Sequence, residues 1–187
     1  MSTVASRFGA KAVFHPSGTI RTETFFPTTI PSAAIYKGDL VKLSGDGDVI
    51  QICAANDASI GVFDGCEYVD ATGKPNVSPY WPASLSGVTN IKFNVITDIL
   101  TVFEIQSQAG RAATDIGDSA DVVVAAGNAN TGVSGSYLNT AQKGAAAVGN
   151  FRIMGLGGGL DNAWGDAFTI VRVTRAKDQR FTQVNSI

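Results

Sequence analysis

Histidine is nearly absent from this chain, with His15 alone among 187 residues. Cysteine adds only Cys53 and Cys66. Three soft ligands cannot close a structural zinc site, which takes four. The two thiols either form a disulfide, if their strands are adjacent, or lie buried as small hydrophobes. Charge is also scarce. Charged residues make up 16%, and the net charge is -2, where an average soluble domain has about 25% charged residues. Such a chain lacks the basic footprint of a general nucleic-acid binder. No apolar run approaches the roughly 20 residues that span a bilayer. Arg7 lies in an N-terminus with no following apolar stretch, so neither a secretory signal nor a membrane anchor is expected.

Helical periodicity is missing too. Ile91, Phe93 and Val95 alternate with Lys92 and Asn94. Thr101, Phe103 and Ile105 do the same beside Val102 and Glu104, and Val41 and Leu43 flank Lys42. These short runs are β-branched or aromatic and end in turn residues, which is the signature of strands. Ser44 to Asp48 and Asp70 to Pro75 have the chemistry of hairpin turns. Phe168 to Thr174 shifts its apolar face midway, predicting a bulge or a strand buried on both faces. Helix is expected only as a turn or two, within the alanine-rich Leu138 to Val148 and within Asp118 to Val123. Gly127 to Ser136 and Gly155 to Asp166 read as loops and candidate contact surfaces.

About a dozen short strands without alternating helices point to an all-β fold, a jelly-roll-like sandwich or barrel. Residues 1–30 are expected to form a short extended N-terminal arm or peripheral strands, and residues 31–187 a single β domain. A chain of this size buries roughly 70% of its unfolded surface, enough for a core without staples.

The motifs for chemistry are weak. Gly155 to Leu160 resembles a dinucleotide loop but has Leu160 where the third glycine belongs, and no helix is expected after it. No cofactor is expected. Asp46-Gly47-Asp48 lacks the remaining ligands of a calcium loop. A catalytic triad would have to use His15, and no nucleophile elbow occurs. Glycoside hydrolysis needs only two carboxylates, and Glu67, Asp70 and Glu104 are the residues to inspect. No catalytic or metal site is expected.

Aromatic and basic residues suggest contact instead. Tyr80 and Trp81 beside Pro82 are either core plugs or interface anchors. Trp164 is expected to be an exposed anchor. Arg172, Arg175, Lys177 and Arg180 form either a solvated strand face or a basic contact surface.

Gly9, Val13, His15 and Gly18, then Phe25-Phe26-Pro27, resemble the opening of the bacteriophage capsid decoration, or cement, proteins. Gly38-Asp39-Leu40-Val41, Ile60 to Gly65, Tyr68 and Ser78 to Pro82 are similar to the following blocks. Asp98 with Val102 to Gln106, Asp115-Ile116-Gly117, Thr131 to Gly135 and Asp161-Asn162-Ala163 complete the match. It runs from about residue 9 to 175 and rests on order and spacing. The chain departs from the pattern at Phe25-Phe26, usually tyrosine-rich in the family, and after Arg175.

The resemblance implies a virion protein on the capsid outer surface, made in the host cytoplasm, that clamps neighbouring major capsid subunits. Its partners would be the major capsid protein and other copies of itself, with a trimer favoured over a dimer. Nucleic acid and membrane are not implied. Arg7, Phe8, Lys11 and Phe14 are the first choice for the capsid contact. Tyr80, Trp81, Trp164 and Arg175 are further interface candidates. A carbohydrate-binding jelly-roll module, or a virion fibre or spike domain, is the alternative reading.

Overall fold

The computed structural model describes residues 4–44, 50–142 and 148–180. Its strands, in chain order, are β1 (Lys11–Phe14), β2 (Glu23–Phe25), β3 (Ile35–Tyr36), β4 (Leu40–Leu43), β5 (Ile50–Ile52), β6 (Gly61–Val69) and β7 (Pro75–Ser78). They continue with β8 (Tyr80–Trp81), β9 (Thr89–Ile96), β10 (Val102–Gln106), β11 (Ser119–Val123), β12 (Tyr137–Gln142), β13 (Phe151–Leu156) and β14 (Ile170–Arg175). A single 3-10 turn, Ala113–Asp115, is the only helical element among the described residues.

Two antiparallel sheets form the body. The first runs β1-β10-β14-β13-β11-β12. The second runs β2-β9-β6-β4-β5, with β7 also paired to β6. The short β3-β8 pair forms a third sheet. Strand β6 pairs with β4 near its start, at Gly61 and Val62, and with β7 near its end, from Cys66 to Val69.

Around the start of β6 and the end of β9 the second sheet is buried on both faces, which explains the two separate cores. Leu40, Val62 and Ile96 face the first sheet and meet Phe103, Ile105, Phe151, Ile153, Val171 and Val173. On the opposite face, Val41, Phe63, Phe93 and Val95 pack with Ile35 and Trp81 of the β3-β8 pair. Adjacent residues therefore serve different cores: Val62 opposes Ile96, and Phe63 opposes Val95. The register slips between Phe63 and Gly65. This bulge returns Cys66 to the side of Phe63, although the two are an odd number of residues apart.

The all-β expectation holds, and the two large sheets pack as a sandwich; this strand order does not confirm the jelly-roll component. The alternations at Ile91, Phe93 and Val95 and at Phe103 and Ile105 are the core faces of β9 and β10. β14 starts only at Ile170. Val171, Val173 and Arg175 then point inward, so Phe168 lies outside the strand and the bulge falls in the partner β13.

Two helical expectations are corrected. Leu138, in the alanine-rich stretch, belongs to β12, with its side chain fully buried and its backbone opposite Val122. Residues 143–147 lie outside the described set. Asp118 to Val123 is mostly β11, which puts Ala120 and Val122 in the core. Asp121 is buried too and accepts the Asn56 and Asn150 amides at 3.2 and 3.3 Å. In both stretches sheet pairing overrides local propensity.

β4 and β5 pair antiparallel, with Leu43 opposite Ile50. The hairpin turn expected at Ser44 to Asp48 falls, from residue 45 onward, outside the described residues. Cys53 and Cys66 are free and buried in different cores, so the disulfide alternative falls. Burial pushes both thiols up to about 12.

Candidate interaction surface

The N-terminal segment crosses the corner between β3 and β4. Gly9 has a φ of 67°, and a Cβ there would lie 2.5 Å from the Gly38 carbonyl. Only glycine tolerates both constraints at low cost. The Gly9 amide donates to the Ser136 carbonyl at 3.2 Å, and the Ala10 amide to the Gly38 carbonyl at 2.8 Å. Farther along, β1 pairs with β10, and β2 pairs with β9, each at a sheet edge.

Beneath this crossing lies Asp39, which is buried. Its carboxylate accepts the Ser134 hydroxyl, the Ser136 hydroxyl at 3.0 Å and the Tyr36 amide at 2.8 Å. Burial raises its pKa, and those donors offset only part of the shift. The same bonds tie down the Gly127 to Ser136 loop. Gly127 lies against the Tyr36 ring, where a Cβ would meet Cγ at 2.3 Å. This expected contact loop is therefore largely docked onto the body.

Between the N-terminal segment and the second sheet is an apolar cleft of about 520 Å³. Phe8, Ala12, Ile20, Val62 and Ile96 are among its lining residues. Lys11 and the Lys37–Asp64 ion pair, at 2.8 Å, stand at its polar edge. Of the expected N-terminal contact residues, the cleft brings together Phe8 and Lys11. Arg7 stacks its guanidinium over the Tyr137 ring, 3.7 Å from the centroid. Phe14 is 56% exposed at the end of β1.

Of the other expected interface residues, Trp81, Trp164 and Arg175 are corrected, while Tyr80 keeps part of its surface. Trp81 is a core plug with no exposed surface. Its indole N–H donates to the Pro31 carbonyl at 3.1 Å, and its ring meets Tyr68 and Phe93 edge to face. Tyr80 is half-buried and stacks on Tyr36 at 5.3 Å. Trp164 is not an exposed anchor but packs, half-buried, against the inter-sheet core.

Arg175 corrects the basic surface most sharply. Its side chain is fully buried and pairs with buried Asp178 at 2.7 Å. It also donates to the Ser59 carbonyl at 3.2 Å and to the Thr97 carbonyl. One guanidinium thus joins the end of β14 to the segments flanking β6 and β9 in the other sheet. Burial lowers its pKa, with Asp178 opposing the shift. Arg172 faces outward beside Glu104. Lys177 donates to the Asn56 carbonyl, and Arg180 pairs with Glu23 and Asp178.

His15 has an arrangement not anticipated from sequence. The Ser17 hydroxyl lies 2.7 Å from Nδ1, and Nε2 lies 3.0 Å from Asp98 Oδ2. This is the residue set of a nucleophilic triad with the two ring nitrogens exchanged. Nδ1 also accepts the Ser17 backbone amide at 3.1 Å, and the Gly18 amide is committed to the His15 carbonyl. The backbone donors nearest Ser17 are thus engaged inside the turn. The geometry locks the β1–β2 connection onto the turn after β9.

The carboxylates selected for glycoside chemistry have separate partners. Asp70 organises the β6–β7 turn, accepting the Thr72 hydroxyl, the Lys74 amide and Asn76; these bonds hold its pKa well below the usual range. Glu67 pairs with Lys92 on the second sheet, whereas Glu104 lies on the first. Glu104 accepts the Gly158 amide at 2.7 Å, taking a donor that a phosphate on the glycine cluster would need. Among the described residues no group of three or more His, Cys, Asp or Glu side chains could hold a metal. No helix among them is long and apolar enough to cross a membrane.

The sequence reading passed over Asp39 as a buried hub and Ile20 as part of the cleft wall. For Asp39 the only signal was its place in the Gly38 to Val41 block. Comparison with family models, curated proteins and solved structures finds no match for this chain.

Proposed function

We propose that this chain is a structural virion protein, not an enzyme, that binds outside an icosahedral phage head. It clamps neighbouring major capsid subunits on the capsid outer surface, having been made in the host cytoplasm. The supporting observation is the apolar cleft beside Phe8 and Lys11, where an apolar side chain of the capsid protein would seat. A cleft held between a hydrogen-bonded N-terminal crossing and a sheet keeps its shape before binding, which lowers the ordering cost. A clamp that binds only the assembled shell stabilises it by mass action, and many equivalent copies multiply the effect. The ordered resemblance from Gly9 to Arg175 supports the same reading.

The test uses expanded heads lacking this protein. Adding it should raise their resistance to heat or chaotrope. Ile20→Asp, which puts a charge at the partly exposed cleft wall, should weaken head binding while leaving the isolated protein's melting temperature nearly unchanged. Decorated and undecorated heads failing at the same temperature would refute the clamp.

A further inference from the structure

We infer that a second copy of this chain docks, through a two-fold axis, on the uncovered end of the second sheet. This goes beyond the capsid reading and does not depend on it. Glu67 of β6 lies opposite Val77 of β7 and opposite Lys92 of β9. Paired residues of an antiparallel sheet point to the same face, so these three side chains share one side. Phe25 of β2 lies opposite Phe93 and packs into the core beyond the sheet. Its neighbour Phe26 emerges on the side of Lys92, and all four residues line one shallow groove.

The row across β7, β6, β9 and the residue just after β2 therefore reads Val77, Glu67, Lys92, Phe26. Three strand spacings of about 4.8 Å give it a span of about 14 Å. Along β9, Lys92, Asn94 and Ile96 occupy one face, and Ile96 lies in the inter-sheet core. The row thus continues the face that the first sheet covers, at the end where that sheet leaves it bare. Val77 is 83% exposed and Phe26 67%. Glu67 and Lys92 are about half exposed and sit 3.6 Å apart, too far for a good hydrogen bond.

The order apolar, acidic, basic, apolar selects the occupant. A two-fold axis in the plane of the face, running between Glu67 and Lys92 along the strands, reverses the row. Val77 then meets Phe26 of the second copy, and each Glu67 meets the other copy's Lys92. An isologous interface requires this kind of self-complementarity. The result is two apolar contacts flanking two charge pairs.

The test is sedimentation equilibrium of the full chain over a wide concentration range. Wild type should be a reversible dimer. Glu67→Lys alone and Lys92→Glu alone should each weaken dimerisation at least about tenfold, since both cross-pairs become repulsive. Mixing the two variants should restore association as a heterodimer, because every facing pair is then opposite in sign. Val77→Asp should abolish the dimer while its melting temperature matches that of the wild-type monomer at low concentration, as this side chain is exposed. A monomer at every concentration, a trimer, or homodimers unaffected by these changes would each overturn the inference.

Discussion

Replacing Arg175 by methionine should be among the costliest single changes in this protein. Methionine retains much of the aliphatic volume, so the loss falls on charge and hydrogen bonding. The change removes the guanidinium 2.7 Å from the Asp178 carboxylate, whose side chain is only 1% exposed and which keeps the Arg180 backbone amide at 2.8 Å. The nearest remaining cation is Arg180, whose Nε stands 3.5 Å away on a 40% exposed side chain. The Ser59 and Thr97 carbonyls each lose one donor, keeping the Gln179 amide at 2.9 Å and the Arg180 guanidinium at 2.6 Å, respectively. Removing one partner of a buried ion pair costs about 3–5 kcal/mol. For a chain of this size each kcal/mol lowers Tm by about 2–4 °C, so the expected drop is about 6–20 °C. Urea unfolding monitored by circular dichroism should show a lower midpoint at constant m, the mark of lost stability rather than an altered denatured state. The double variant Arg175→Met with Asp178→Leu should recover much of the loss, because an apolar pair leaves no stranded charge. A single-variant cost below about 1 kcal/mol, as at an exposed pair, would refute the reasoning that this guanidinium is a buried, stabilising partner.

Two further predictions concern titratable groups in the cores. Cys53 and Cys66, with thiol pKa values pushed up to about 12 by burial, should resist a thiol-disulfide reagent at neutral pH until the protein is unfolded. Modification of either in the native protein at a free-thiol rate contradicts their placement. Asp39 has a folded-state pKa raised above its ordinary value of 3.8, first by burial. The folded state therefore holds this proton more tightly than the unfolded chain. Its contribution is fully present below the ordinary value and is lost as pH rises through the raised one. Wild type should accordingly lose stability relative to Asp39→Asn as pH climbs through that window. A pH-independent difference in urea midpoint would refute this.

The local sequence by itself determined the strand-dominated architecture. Alternation at Ile91, Phe93 and Val95, and at Phe103 and Ile105, is a property of consecutive residues, because successive strand side chains point to opposite faces. The β6–β7 turn was legible for the same reason, since Asp70 and Gly73 act within a few residues. Only the tertiary structure decided what covers each face. Trp81 read as either a core plug or an interface anchor and Arg175 as a surface cation, and both are buried, one as the part of the β3-β8 pair that packs on the second sheet and the other between the two large sheets. Leu138 looked helical until pairing with Val122 drew it into the core. The cleft beside Phe8 needs residues as distant as Ile20 and Ile96, and the row Val77, Glu67, Lys92, Phe26 exists only because four strands align. The physical reason is the range of the interactions. Side-chain alternation is fixed within one strand, whereas strand order, register and burial arise from pairings between residues far apart in the chain.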